Sequence, residues 1–476
     1  MPILLIEDFT HGLDVRKSPL TAPPGSLQMM QDAVLTNGAE IERRKAFVNV
    51  GPLPPGTVGL SAWDGQITVY SMSLPDGPLS VPNCPIPVNC KYVDLSSSIG
   101  ASNITAIVDY DTWDNYPFII ARGDNGLTQP IWLGPAGQVD IPVKGQYCRT
   151  HRSKVYMGDQ ADLRFSDVGD PGSWTDQDVN DPRGAGFISQ AQDDADAEYV
   201  TGLEIYYDRM AVLARLVTLI WYLDPDPTQN NLLQTLRIGT ISGLSAIQFG
   251  TGDVMFLSDS GIRSLRAMNI SMAASVIDVG SPIDPIVTNH ILTNPVEAYV
   301  ARAVIEPVFG RYWLAFDNTI YVLSYFPSSK VSAWSTFVLP FHVDYMASTN
   351  NQVYVRNGDD LYLYGGADGL TYDNTPAIVR TPMMHNQAPS IWKRISSIDL
   401  MIQGSWALDI GMNPGAPFTY ERCGVFTGET FSLQKIKFAG YGTHIGLQLT
   451  SQDATPGRIA SISINYQDGE VKGGGD

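Results

Sequence analysis

KVYMGDQADLRFSD at 154–167, RMAVLARLVTLIWYL at 209–223, DVMFLSDSGIRSL at 253–265, RYWLAFDNTIYVLSY at 311–325 and QVYVRNGDDLYLYGG at 352–366 repeat one pattern: an apolar strand-like run, a polar turn, a second strand. With Val155, Ala211, Val254, Tyr312 and Val353 as markers, the repeats lie 56, 43, 58 and 41 residues apart. These intervals bracket one four-stranded blade of a β-propeller, the longer steps carrying insertions. A single sheet of this kind cannot bury both faces, whereas sheets set around an axis bury each other. Sandwich modules in series satisfy the same pattern. Trp174 in GSWT and Trp334 in SAWSTF follow repeat turns and are placed to pack between neighbouring sheets.

Outward from these repeats the chain stays strand-rich. VGLSAW and QITVYSMS flank Asp64-Gly65, a hairpin signal, and ITAIVDY and YPFIIARGDNG follow at 104–126. Residues 281–300 open with Ser-Pro and predict one short helix, Ile286 to Leu292. Beyond Pro389 the strands lengthen, at 391–402, 405–412, 430–440, 443–451 and 458–467. The expected architecture is mainly β. An N-terminal arm and hairpin (1–56) precede a β-propeller-like body (57–388) and a C-terminal antiparallel, sandwich-like region (389–476).

Composition agrees with that class. Gly at 44, Pro at 32 and Tyr at 22, with 17% charged residues, favour turns and strands over helices. Thirty basic against 49 acidic residues give a net charge of −19, which disfavours a sequence-independent grip on phosphate backbone. Cys84, Cys90, Cys148 and Cys423 are too few and scattered for a disulfide framework, and Cys84-x5-Cys90 lacks a second pair at zinc spacing; all four read as reduced thiols. MPILLI lacks a basic n-region and reads as a first strand. The longest apolar run, 211–223, contains Arg215 and is too short to cross a bilayer, so no membrane insertion is expected.

One segment departs from the rest. In DFTHGLDVRKSPLTAPPGSLQMMQDAVLTNGAEIERRKAFVNVGPLPPG, residues 8–56, Pro19, Pro23 and Pro24 predict an extended arm over 18–25. Ser26 is placed to N-cap a short turn, and Asn37-Gly38 predicts a hairpin joining DAVLT to AEIERRKAFVNV. The second strand mixes polar and apolar residues on both faces, as interface or edge strands do. Arg16, Lys17, Arg43, Arg44 and Lys45 concentrate positive charge in an acidic chain, suited to docking on an acidic neighbour.

The run GLDVRKSPLTAPPGSLQMMQDAVLTNGAEIERRKAFV resembles the N-terminal segment of the tail nozzle (tail tubular protein B) family of short-tailed phages. The resemblance implies a structural virion protein of the tail, assembled in the host cytoplasm. It implies a homo-oligomeric ring, a hexamer in that family, that docks on the adaptor and other tail proteins and passes genomic DNA without binding it specifically. On this view Arg16, Lys17, Pro19, Pro23, Pro24, Asn37, Gly38, Arg43, Arg44 and Lys45 form the docking segment, and removal of residues 8–50 leaves a folded body. The acidic run Asp193, Asp194, Asp196 and Glu198 reads as a solvated loop or, alternatively, as a channel-facing ring.

Motifs of chemistry are sparse, and no enzymatic activity, cofactor or metal is expected. The sequence has no P-loop, nucleophile elbow, H-E-x-x-H or dinucleotide fingerprint. His11, His151, His290, His342, His385 and His444 are far apart along the chain. Ser166 to Thr175 resembles the Asp-box turn of sialidase-type propellers, with Trp174 two residues late, and reads as a structural turn. Asp176-x-Asp178-x-Asn180 and Asp224-x-Asp226-x-Thr228 lack the glycine and glutamate of a calcium loop. The Asp-box-like turn and the many aromatics leave one alternative function, a glycan-binding or glycan-cleaving propeller that recognises the host surface.

Overall fold

The computed structural model describes residues 2–63, 65–71, 90–95, 103–175, 184–194, 199–250, 252–267, 274–412, 414 and 419–471. The chain is mainly β, and among the described residues seven sheets stand around one axis as a β-propeller. Their first strands are Thr57–Trp63, Ile104–Trp113, Tyr147–His151, Val200–Tyr206, Ile247–Phe249, Arg302–Glu306 and Tyr345–Thr349. They touch one another in that order, and the last touches the first. We number the blades I to VII accordingly. Five are separate four-stranded sheets, blade I has three described strands, and blade VI is continuous with a larger sheet.

The five sequence repeats are the second and third strands of blades III to VII. Neighbouring blades cover both faces, so these strands read as continuous apolar runs instead of alternating ones. In blade VI every residue of Arg311–Phe316 is buried. Between blades II and III, Trp174 packs with Phe118, Ile120, Val155 and Met157, and its Nε1 donates to the Pro171 carbonyl at 2.7 Å. Trp334 is likewise buried and donates to the Val279 carbonyl. The predicted helix forms at Asp284–Thr293 and links blades V and VI.

Blade VII is completed from the other end of the chain. Phe47–Pro52 pairs antiparallel with Asp360–Tyr364, Val48 opposite Leu363 and Phe47 opposite Tyr364. The Phe47 ring lies 5.2 Å from Tyr364 and 6.2 Å from Trp313 between centroids, inside the aromatic cluster that joins blades VI and VII.

The remaining N-terminal strands join the C-terminal region. Met29–Gln31 and Ala33–Leu35 are one strand kinked at Asp32, whose φ of 53° lies in the left-handed region that aspartate tolerates better than most residues. Met29–Gln31 pairs with Ile378–Arg380 and lies parallel to blade VI at Gln31 and Thr336. From there the pairing runs through Gly446–Ser451, Ile391–Gly411, Arg458–Val471 and Ile41–Arg43 back to Ala33–Leu35. It therefore closes on itself, with Leu400, Ile402, Leu408, Leu447, Leu449, Ile462 and Ile464 buried in its core. A barrel-like ring replaces the expected sandwich.

Two further expectations are corrected. Residues 1–56 are not a separate unit: Phe9, Leu13, Leu27, Met30, Leu35 and Ile41 are buried in the largest core of the molecule. Strands expected at 391–402 and 405–412 are one strand, Ile391–Gly411. Gly404, at φ +81°, sits at a register shift against Glu421–Gly442, so a bulge continues the strand where glycine signalled its end.

Candidate functional site

The docking residues read from the sequence divide into two groups. Arg16, Lys17, Pro23 and Pro24 are exposed. Arg16 is also held to Asp14 at 2.6 Å and donates to Ser281 Oγ. The 18–25 segment folds into turns and does not extend. Ala22 N–H donates to the Ser18 carbonyl, Ser26 N–H and Oγ donate to the Pro23 carbonyl, and the Pro19 carbonyl accepts from Met383 N–H. Ser26 is buried before a strand and caps no helix. The hairpin at Asn37-Gly38 is present, with Leu35 opposite Ile41, but its loop spans 36–40 and the left-handed residue is Ala39 at φ 59°.

Arg43 and Arg44 belong to the interior. Arg43 donates to the carbonyls of Asp373, Thr375 and Thr455. Arg44 Nε meets Asp32 Oδ1 at 2.6 Å and Nη1 meets Asp373 at 3.1 Å, with Arg44 and Asp32 both buried. Burial pushes the Asp32 carboxyl up, against ionisation. Arg44, which burial alone would lower, is raised by Asp32 and Asp373. Arg44, Gln31 Nε2 and Val338 N–H all donate to Asp32 and oppose the rise of its carboxyl. These two charges pin the N-terminal strands to the body and are not offered to a neighbour.

Of the acidic run, Asp196 and Glu198 lie outside the described residues; Asp193 is exposed, and Asp194 pairs with Arg237 at 3.0 Å. The 176–180 motif, Cys84 and the side chain of Cys90 also lie outside them, so a Cys84–Cys90 loop is not described. Cys148 and Cys423 are free thiols. At the second calcium-like motif the carboxylates serve the backbone: Asp224 accepts from Asp226 N–H, and Asp226 accepts from Thr228 N–H. The Asp-box-like stretch is a turn after the third strand of blade III, with Asp167 N–H donating to the Ser173 carbonyl.

Four histidines acquire partners that sequence spacing hides. His385 and His444 lie 5.5 Å apart between ring centroids, and His290 stacks on Phe316 at 3.9 Å. His342 bonds Glu297 at 3.0 Å through Nε2 and Asp344 at 2.9 Å through Nδ1. Burial lowers its pKa, but the bonds to Glu297 and Asp344 outweigh that and raise it above 6.5. A raised folded pKa stabilises fully below 6.5 and loses that contribution as pH rises through the folded value. Across about pH 5.5 to 8.5, wild-type protein is therefore expected to lose thermal stability relative to His342→Gln. Parallel melting curves for the two proteins would contradict this.

The propeller axis is crossed by side chains. Arg302 on blade VI reaches the carbonyls of Ile107 and Val108 on blade II, at 3.2 and 3.4 Å, and lies 4.0 Å from the Tyr345 ring centroid. Arg149 on blade III joins Asp109 on blade II and Glu204 on blade IV at 2.9 and 3.1 Å. This network ties the inner strands together.

Two features face outward. The first is a cleft of about 770 Å³ where blades VI and VII meet the barrel. Its walls include Lys45, Phe309, Arg311, Asn351, Leu370 and Tyr372. The second is Glu421–Gly442, a 22-residue strand that pairs only with Ile391–Gly411 among the described residues and leaves its other edge open. Val425, Leu433 and Tyr441 are exposed along it. Nothing in the local sequence separates this edge from the buried strands, because its partner is chosen by tertiary pairing.

No protein-family model and no curated protein matches the chain. Among solved structures, YCF48 bound to D1 peptide is similar at a TM-score of 0.38 and 10% identity, over 68% of this chain and 95% of that one. The extracellular domain of a putative hybrid two component system from B. thetaiotaomicron gives 0.39 and 9%, over 71% and 46%. An exo-beta-1,3-galactanase from Phanerochaete chrysosporium, with galactose, gives 0.26 and 9%, over 71% and 100%. At these identities the likeness concerns fold alone.

Proposed function

We propose that the chain is a structural subunit of a phage tail nozzle, assembling with further copies of itself into a ring, a hexamer, that docks on the adaptor and conducts DNA during ejection. The observation that carries this reading is the open edge of Glu421–Gly442. Soluble proteins shorten or cover such edges, because unpaired N–H and C=O groups template pairing with another chain. The occupant is a second copy of this chain. The edge carries Lys437, together with Arg422 and Lys435, which are paired with Asp409 and Asp399 on the neighbouring strand, while the chain as a whole has a net charge of −19. The N-terminal run GLDVRKSPLTAPPGSLQMMQ and its likeness to nozzle proteins support the same reading. Because side chains cross the propeller axis, the DNA path in this reading runs between subunits, and a chain of net charge −19 repels phosphate and lets a duplex slide.

Val425→Glu combined with Leu433→Glu tests this, since both side chains are exposed. Wild-type protein is expected to form rings by light scattering and electron microscopy, and the double variant to remain monomeric with an unchanged melting curve. Wild-type protein that joins neither rings nor tails, or a variant that still assembles, would defeat the proposal.

A second reading, recognition of host-surface glycans, is favoured by the cleft. Its volume of about 770 Å³ falls within the range of small-molecule sites, about 300–1,000 Å³. Its walls alternate amide-bearing turns with Phe309 and Tyr372, surfaces that suit the hydroxyls and C–H faces of sugars.

A further inference from the structure

The charges of the cleft are unevenly satisfied. Glu42 is paired with Arg458 at 3.0 Å. Glu306 stands opposite Arg311 in the strand register, yet its carboxylate turns away to accept the N–H groups of Val308 and Phe309 at 3.0 and 3.1 Å. Asp368 accepts from Leu370 N–H and Thr371 Oγ1. Arg43 is committed to carbonyls. Each carboxylate on the wall therefore already has a partner of its own.

Arg311 is only 3% exposed. Its Nε donates to Ser324 Oγ at 3.2 Å, its Nη2 donates to the Leu35 carbonyl at 3.1 Å, and its guanidinium lies 4.4 Å from the Phe309 ring centroid. Among the described residues no carboxylate comes within ion-pair distance of it, and none comes within that distance of Lys45. A buried cation without a counter-charge is costly, and an anion entering the cleft removes that cost. Lys45 is half-buried, and its N–H is anchored on Tyr364 Oη, so it stands on the same wall.

We propose that this cleft binds a carboxylate-bearing saccharide, its acid group seated between Arg311 and Lys45 and its ring against Phe309 and Tyr372. The cleft is larger than a simple inorganic anion requires. In the turn at Asn350 and Asn351, left-handed at both residues, Asn350 Nδ2 donates to the Gly65 carbonyl and Gln352 Nε2 to the Ala367 carbonyl, so the Asn351 amide is the one set toward ring hydroxyls. The inference rests on the glycan-recognition reading of the cleft and names the class of sugar it takes.

The full-length protein is titrated with D-glucuronic acid and with D-glucose, followed by calorimetry and saturation-transfer NMR. Glucuronic acid is expected to bind at least about tenfold more tightly than glucose. Lys45→Met is expected to weaken the acid by at least about fivefold while leaving the neutral sugar and the melting curve unchanged. Arg311→Gln, if folded, is expected to weaken it further. Equal binding of the two sugars, or an acid affinity indifferent to Lys45→Met, overturns the acidic class but leaves glycan recognition standing. Binding of neither sugar at about 10 mM overturns both.

Discussion

A chain lacking residues 8–50 is expected to be insoluble or to show no cooperative unfolding, the reverse of what a detachable docking arm predicts. The deletion removes Phe9, Leu13, Leu27, Met30, Leu35 and Ile41 from the main core, each less than 6% exposed. Truncating one such side chain typically costs about 2–5 kcal/mol. Six together match or exceed the roughly 5–15 kcal/mol that holds a domain folded. The same deletion takes most of Phe47–Pro52, leaving blade VII without its outer strand. Circular dichroism and a thermal melt of the truncated protein decide the matter, and a sharp melt near the wild-type midpoint would show that the segment is dispensable.

Arg44→Met is expected to cost about 3–5 kcal/mol, because it leaves the Asp32 carboxylate buried without its cation. The companion variant Arg44→Met with Asp32→Asn removes both charges. It keeps a residue that accepts the left-handed backbone at position 32, so it is expected to recover most of the loss. Urea unfolding midpoints of the three proteins test this. A loss below about 1 kcal/mol for the single variant, the size expected of a surface pair, would mean that solvent reaches the site.

The propeller was legible in the sequence where burial on both faces produced continuous apolar runs, at 155–157, 210–214, 254–257, 312–316 and 353–355. Blade edges were less legible. First and second strands are joined by two-residue turns such as Arg152-Ser153, Asp114-Asn115 and Asn350-Asn351, with φ positive at both residues. Among these, Arg152-Ser153 carries none of the residue types that usually announce such a turn. The basic cluster illustrates a deeper limit. Arg43 and Arg44 look like surface charge because their counterparts, Asp32 apart, lie more than 300 residues downstream at Asp373, Thr375 and Thr455. Composition shows a charge, but only the fold shows what neutralises it. The cleft was hidden for the same reason, its walls coming from positions 34 to 458.

The pairing of the two chain ends also imposes an order of events during synthesis. Ile3–Ile6 lies against Arg458–Val471, and blade VII has no outer strand until the chain has passed Tyr364 and found Phe47–Pro52. At about 5–20 residues per second the ribosome needs roughly 25–95 s to make the whole chain. For most of that interval the first fifty residues have no partner strand beyond their own hairpin of Ala33–Leu35 with Ile41–Arg43. Blades II to V, whose strands are all local, can form as they emerge, while the N-terminus, with its apolar Leu27, Met30 and Ile41, waits for the last hundred residues. Until those residues emerge, the unpaired edges and apolar side chains of that segment are open to pairing with other chains.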